Sequence, residues 1–381
     1  MKFVLIPDSF KGTLSSTRIC ELLAEKAREI LPGCTTVPIP VADGGEGSVD
    51  CFLNALGGEK IPETVTGPFF ENVQAFYGSI DDGRTAVIEM AACAGLPLAE
   101  GRLDPERTTT YGVGELILRA ADRGARRIIL GLGGSCTNDG GCGAAAAVGV
   151  RFRNAAGDRF VPVGGTLAEI VSVDVSHLAP QLRDVEIVAM CDIDNPMYGE
   201  KGAAYVFAPQ KGADPAAVRR LDDGLRHLCA IVQRDLGVSL SEVPGAGAAG
   251  AMGAGMVAFF GAKLQMGIET VLDTTEFDRV IRDADVIFTG EGKLDSQSLR
   301  GKVVIGVARR AKRQGKPVVA IVGGVEPEGE AAYAEGVTAA FSINRLPEDF
   351  AVSRGKSEAN LSATAESIFR LIRATSGAYG A

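Results

Sequence analysis

Histidine is nearly absent: the chain of 381 residues holds two, His177 and His227. His227 lies on an amphipathic stretch and His177 follows a Val-Asp-Val-Ser turn, and neither has a Cys, His or Asp partner at zinc-ligand spacing. A Ser-His-Asp triad would have to recruit one of these two, which argues against hydrolysis by a triad. The eight cysteines are dispersed and form no CxxC, so a disulfide framework is not expected. Positive charge is in deficit too. The formal net charge is −9, and no basic face suited to duplex DNA can be picked out. An anionic substrate must therefore be held by a local group of Lys, Arg and backbone N–H donors, against the global field. There is no GxxxxGK[ST]: Gly301-Lys302 is followed by Val303 and lacks the upstream glycine, which excludes a P-loop. The N-terminus reads KFVLIPD, strand-like, and not as a signal peptide. The uncharged run Val243–Ala262 has the length of a membrane span, but its six Gly and seven Ala insert weakly. A reduced, cytoplasmic protein without a membrane segment is expected.

What the chain has in excess is glycine, 49 residues, about twice the usual share. The glycines cluster at 131–134, 140–143, 245–255 and 290–292, where backbone must turn tightly or approach a ligand closely. Between such clusters run short apolar segments: Phe3–Ile6, Arg127–Leu132, Glu186–Cys191, Asp285–Phe288 and Pro317–Val322. They read as buried parallel strands. Amphipathic helices alternate with them, over Ser15–Leu31, Tyr111–Arg123, Ala217–Leu236, Ser298–Arg313 and Glu358–Arg373, with Ser15 or Ser16 capping the first. Alternating strand and helix gives an α/β class. From Gly67 to Gly165 the pattern changes to alternating stretches, Val73–Ile80 and Thr85–Met90, separated by Asp-Asp-Gly, which predicts hairpins. The length favours two domains. Residues 1–65 and 275–381 are expected to form a doubly wound, mostly parallel Rossmann-like sheet. Residues 66–274 are expected to form an inserted mixed α/β domain.

Ligands gather at the carboxyl ends of parallel strands. Four strand ends carry acid, hydroxyl, Lys and Gly together: Pro7–Thr13, Gly133–Gly141, Asp192–Pro196 and Thr289–Asp295. That repertoire suits phosphate oxygens and a metal ion. Singly, each Asp or Gly after a strand is an ordinary turn former. A GxGxxG match, Gly245–Gly250, follows Ser241-Glu242-Val243-Pro244 and so lacks the strand of a dinucleotide fingerprint. It reads equally as a loop around a nucleotide and as a close-packed helix start. A nicotinamide-dependent oxidoreductase using this loop is the alternative from another class.

Seven stretches in order resemble the bacterial type-1 glycerate kinase family: Pro7–Thr13 (PDSFKGT), Val41–Ser48 (VADGGEGS), Gly131–Gly141 (GLGGSCTNDGG), Cys191–Pro196 (CDIDNP), Gly202–Ala213 (GAAYVFAPQKGA), Pro244–Gly250 (PGAGAAG) and Thr289–Lys302 (TGEGKLDSQSLRGK). Cys136 stands where Ala is expected and Ala251 where Gly is usual. The resemblance implies ATP- and Mg²⁺-dependent phosphorylation of D-glycerate, at the 2-hydroxyl, with the 3-hydroxyl or a related small hydroxy acid as the alternative. It also implies two α/β domains with the active site in the cleft between them. The residues agree with it. Lys11, Lys293, Arg300 and Lys302 are candidate anion holders, and Ser9 and Asp43 candidate hydroxyl contacts. Gly133, Gly134, Ser135, Thr137, Asn138, Asp139 and Gly140, with Gly245, Gly247 and Gly250, are candidates for the nucleotide. Asp192, Asp194 and Glu291 are candidates for Mg²⁺, and Asp192, Lys11 and Asp295 for the chemistry. ATP, glycerate and Mg²⁺ are the expected ligands, with no nucleic acid or membrane partner.

Overall fold

The computed structural model describes residues 1–42, 44–296 and 298–376, and of Arg300 the backbone alone. Strands β1 (Lys2–Pro7) and β2 (Thr35–Pro38) come first. Then come β3 (Glu59–Thr66), β4 (Asn72–Ile80), β5 (Thr85–Glu89) and β6 (Arg127–Gly131). Three short strands follow, β7 (Arg151–Arg153), β8 (Arg159–Phe160) and β9 (Ser172–Asp174). The last are β10 (Glu186–Met190), β11 (Lys263–Gln265), β12 (Val286–Gly290), β13 (Val318–Val322) and β14 (Ala339–Ser342). The chain divides into two compact units. One takes the N-terminal residues to Ala42, Asn54–Leu56 and the stretch from Met266; the other takes the remainder up to Gln265.

The first unit holds a five-stranded parallel sheet in the order β14-β13-β12-β1-β2. Counted along the unit this is 2-1-3-4-5, with its switch point between β1 and β12. Alternate residues of a strand face opposite sides. Phe3, Leu5, Phe288, Val319 and Ile321 pack with Ile19 and Leu23 of the helix Ser16–Ile30 and with Leu361 and Phe369 of the helix Ser357–Thr375. Phe3, Phe288 and Phe369 form an aromatic trio with centroids 5.0 to 5.8 Å apart. The intervening Val4, Ile6 and Ile287, also buried, face the other side, where the helix Val303–Arg313 packs on β12, β1 and β13. The sheet is thus wound on both faces. Ser15 caps the first helix, its hydroxyl accepting from Arg18 N at 3.2 Å. The expected helix 298–313 is interrupted. A single 3₁₀ turn, Ser298–Arg300, precedes Gly301 at φ +100°, and the α-helix begins at Val303. A left-handed backbone cannot continue a right-handed helix, so the break follows from that glycine.

The second unit holds a six-stranded mixed sheet, β11-β10-β6-β5-β4-β3. β11, β10, β6 and β5 are parallel, and β4 and β3 extend it as an antiparallel meander. Ile88, Leu130 and Ala189 meet Val113, Leu116 and Ile117 of the helix Tyr111–Asp122. The strands β7, β8 and β9 make a separate antiparallel sheet. The uncharged run lies on the helix Ala248–Phe260, buried along most of its length among Phe152, Leu225 and Leu228. Among the described residues no helix is long and apolar enough to cross a membrane. All eight cysteines are free thiols.

Candidate active site

In the first unit the loops after β1 and β12 leave the sheet side by side at the switch point, joined by Asp8 N donating to Gly290 O at 2.8 Å. Ser9 N donates to Asp8 Oδ1 at 2.6 Å, and Lys11 is exposed at the start of the next turn. Glu291 follows β12 and is buried. Burial pushes its carboxyl up to about 7; Ser298 and Lys302 pull it down, while Asp8 and Asp295 push it further up. Its Oε1 has no hydrogen-bond partner among the described residues. Asp295 is oriented by Ser298, whose N donates to Oδ1 at 3.2 Å and whose Oγ accepts from Asp295 N at 3.1 Å. Lys302 sits at the N-cap of the helix Val303–Arg313. Lys293 is ion-paired with Glu326. Ser9, Lys11, Glu291, Asp295 and Lys302 are therefore neighbours on one pair of loops. Asp43 lies outside the described residues, as does the side chain of Arg300.

The second unit gathers four glycine-bearing segments at the carboxyl ends of β6 and β10. Gly133 N donates to Gly44 O at 3.0 Å, and a Cβ on Gly133 would stand 2.6 Å from Gly45 Cα. Only glycine permits that approach. The loop then runs through Ser135, Thr137, Asn138 and Asp139, all buried. Cys136 N donates to Ala94 O at 2.9 Å and Thr108 Oγ1 to Cys136 O at 3.0 Å, which holds the loop on its outer side. Asp139 Oδ2 accepts from Thr110 N and Thr110 Oγ1 at 2.8 Å and from Gly143 N at 3.2 Å. Its Oδ1 accepts from Gly141 N at 3.0 Å. Burial pushes this carboxyl up, and the donors of Thr110, Gly141 and Gly143 pull it back. Both of its oxygens are thus engaged by the protein itself.

The segment Gly245–Gly250 packs backbone to backbone against its neighbours. Gly247 N donates to Asn195 O at 3.0 Å, and Gly140 N to Gly250 O at 3.1 Å. Ala249, Gly250 and Ala251 have φ of 55°, 67° and 65°, a turn of left-handed helix. For the two alanines that conformation costs about 1–2 kcal/mol each. The cost is met by the contact it allows: a Cβ on Gly250 would lie 2.0 Å from Thr137 O. Gly245 is also close to Cys191, where an added Cβ would be 2.7 Å from Sγ. Asp192 and Asp194 are exposed just beyond, on the irregular segment after β10. Among the described residues no three His, Cys, Asp or Glu side chains form a metal-holding group.

Two side chains at this site escaped the sequence reading. Glu89 ends β5 and is buried; its Oε1 accepts from Val49 N at 2.7 Å, which ties down the segment carrying Gly44 and Gly45. Burial pushes its carboxyl up, opposed by the Val49 and Gly47 amides. Lys211 lies behind the loop of β6, with Nζ donating to Ser135 Oγ at 2.8 Å and Thr137 O at 2.7 Å. The signals that could have found them are the one acid within Thr85–Met90, Glu89, and the one charged residue of the stretch Gly202–Ala213, Lys211.

This arrangement has known counterparts. The model of the glycerate kinase family matches residues 3–373. The chain belongs to the glycerate kinase family. Its activity is that of a phosphotransferase acting on glycerate, and membership implies ATP as the phosphoryl donor. The glycerate kinase of Bacillus cereus is 47% identical over 369 residues, 97% of each chain. The glycerate 2-kinase of Escherichia coli is 45% identical over 345 residues, 90% of each chain. The crystal structure of a Salmonella typhimurium LT2 protein described as glycerate kinase 2 superposes with a TM-score of 0.88 at 41% identity, covering 99% of both chains. The family assignment also displaces the oxidoreductase alternative raised by the Gly245–Gly250 match.

Cys136 departs from the family pattern inside the loop. Burial pushes its thiol up to about 12, so it is not a thiolate at neutral pH. Cys136→Ala should keep kcat within about threefold of wild type at pH 7.5. A folded but inactive variant would mean that the thiol takes part in the chemistry.

Proposed function

We propose that this chain transfers the γ-phosphoryl group of ATP to the 2-hydroxyl of D-glycerate. The observation that carries the reading is the meeting of four glycine-rich segments around Ser135, Thr137 and Asn138 at one sheet edge, in a member of the glycerate kinase family. Backbone N–H groups and hydroxyls in such a loop suit phosphate oxygens. The name of the Escherichia coli relative, glycerate 2-kinase, supports the 2-hydroxyl.

In this reading Gly133, Gly134, Ser135, Thr137, Asn138 and Gly140 hold the nucleotide phosphates. Asp139 braces their loop from within, and Gly245, Gly247 and Gly250 press it into shape. Ser9, Asp43, Lys11, Arg300 and Lys302 take the carboxylate and hydroxyls of glycerate. Glu291 suits Mg²⁺ as a carboxylate with one oxygen that has no hydrogen-bond partner among the described residues; Asp192 and Asp194, exposed hard donors of the other unit, are the alternative candidates. Mg²⁺ needs only one or two protein carboxylates beside phosphate oxygens and water. When bound, it neutralises charge on the transferring phosphate. Asp192 accepts the proton of the attacking hydroxyl, with Asp295 as the alternative base. The eight free thiols suit a reducing, cytoplasmic setting.

The reading is tested by ADP release from MgATP, which should rise on adding D-glycerate. A rate that is independent of glycerate at all concentrations contradicts it. Asp192→Asn keeps size and hydrogen bonding but loses basicity, so kcat should fall by about two decades or more while ATP still binds. Loss of Mg²⁺-dependent ATP binding instead would assign Asp192 to the metal. A full rate, together with an inactive Asp295→Asn, would move the base to the loop after β12.

A further inference from the structure

Lys211 is the one lysine that is buried among the described residues, 2% exposed. It belongs to the turn Pro209–Lys211, far in sequence from any strand end. Its two hydrogen bonds go to a hydroxyl and a carbonyl of the loop after β6, and neither goes to a carboxylate. Placing an ammonium group in the interior without a directly bonded counter-ion is costly, and the group answers by losing affinity for its proton. Burial draws the Lys211 amine down to about 8, and Cys136 and Asp139 oppose that only through space.

The groups around this cation lack partners of their own. Thr137 Oγ1 and both amide atoms of Asn138 are buried with no hydrogen-bond partner. Ser135 Oγ already accepts from Lys211, so its own hydrogen is directed elsewhere. A hydroxyl whose acceptor side is occupied by an ammonium is fixed as a donor. The site therefore presents a positive charge with no directly bonded counter-ion, behind a row of polar groups still to be satisfied. That is the complement of an anion rich in oxygen acceptors.

We propose that Lys211 is the positioning residue and buried counter-charge of the phosphate loop, directing the Ser135 hydroxyl and lending its charge to phosphoryl oxygens of the nucleotide. This rests on the reading that the Gly133–Gly140 loop holds the nucleotide phosphates. A purely structural tie would lower stability and affect both substrates alike. A counter-charge acts on ATP and leaves glycerate nearly untouched. It also titrates: the neutral amine lends no charge. Of the groups facing Lys211, Cys136 is pushed up to about 12 and stays protonated, and Asp139 is held by the donors of Thr110, Gly141 and Gly143 while burial pushes its carboxyl up.

The test compares Lys211→Met with Ser135→Ala and Asn138→Ala, measuring MgATP affinity without glycerate, and KM for each substrate in turnover. Folded Lys211→Met should bind MgATP about tenfold or more weakly, with KM for D-glycerate changed by less than about threefold. Ser135→Ala should shift ATP affinity in the same direction by a smaller factor, and the double variant should be no worse than Lys211→Met. In the wild type, MgATP affinity should weaken by about tenfold between pH 8 and 9.5, a loss absent from Lys211→Met. If Lys211→Met does not fold, the wild-type pH series decides, and a flat series overturns the proposal. Unchanged ATP affinity in folded Lys211→Met, with weakened binding in Ser135→Ala and Asn138→Ala, overturns the role of Lys211 and leaves the loop reading standing. No effect on ATP from any of the three variants removes the loop reading and the proposal together.

Discussion

Glu291→Gln should abolish most turnover and at the same time make the protein more heat-stable at pH 8. The side chain is 6% exposed, and burial is the main cause of its carboxyl rising from 4.5 to about 7. A folded-state value above the unfolded one means that folding favours the protonated acid. The associated stability is fully present below pH 4.5 and is lost as pH rises through about 7. At pH 8 the protein therefore carries the whole cost of a buried charge, on the order of 3 kcal/mol. Glutamine keeps the size and leaves Oε1 in the same surroundings, but it removes the charge. The thermal midpoint measured at pH 8 without divalent metal should rise by a few degrees, and the gain should vanish near pH 4.5. Turnover should fall by about two decades or more, because in the proposed mechanism this carboxylate helps to hold Mg²⁺. A side chain kept at a cost to stability is what a functional group in a fold looks like. Equal midpoints at both pH values, or a near-normal rate, would contradict this role.

Lys11→Met should lose rate on the same scale, but with no change in stability. Lys11 stands exposed beside the switch point of the five-stranded sheet, where ligands of such sheets collect. Its removal opens no cavity, so scanning calorimetry should find the thermal midpoint within about a degree of wild type. An ammonium group on an anionic substrate gains strength as charge develops toward the transition state. Steady-state kinetics should therefore show kcat/KM lower by about two decades or more. A near-normal kcat/KM would return Lys11 to the ordinary role of a solvated surface lysine.

The central strands could be read from the sequence because they are buried on both faces. Phe3–Ile6, Arg127–Leu132 and Pro317–Val322 are continuous apolar runs, and the structure has β1, β6 and β13 there. The hairpin of β4 and β5 was legible from alternation around Asp81-Asp82-Gly83. Edge strands were not. β2, β11 and β14 are three or four residues long and partly exposed, so the hydrophobic signal is too short to register. β3 carries Glu59, Lys60, Pro62 and Glu63, which suit an edge and hide a strand. The helix over Ser298–Arg313 kept its apolar period across Gly301, but a left-handed glycine breaks the backbone whatever the side chains prefer.

The loops of the site were legible for a related reason. Where a strand ends is a local property, and so are the Gly, Asp and Lys that follow it. Lys211 and Glu89 depend on tertiary neighbours instead. Nothing local distinguishes Lys211 from a solvated lysine until Ser135 and Thr137 are seen against its Nζ. Nor does Glu89 stand out until the amide of Val49 arrives at its carboxylate. The strained turn Ala249–Ala251 was hidden as well, because two of its three residues are alanines that ordinarily favour a right-handed helix.

The most direct test of phosphoryl transfer to the 2-hydroxyl is ³¹P NMR of the product formed from D-glycerate, ATP and Mg²⁺. A new phosphomonoester resonance split as a doublet by the single proton on C2, growing with ADP, is the predicted result. A triplet from the two protons on C3 would contradict the 2-hydroxyl assignment, and inorganic phosphate as the only new signal beside those of ADP would contradict transfer to glycerate altogether.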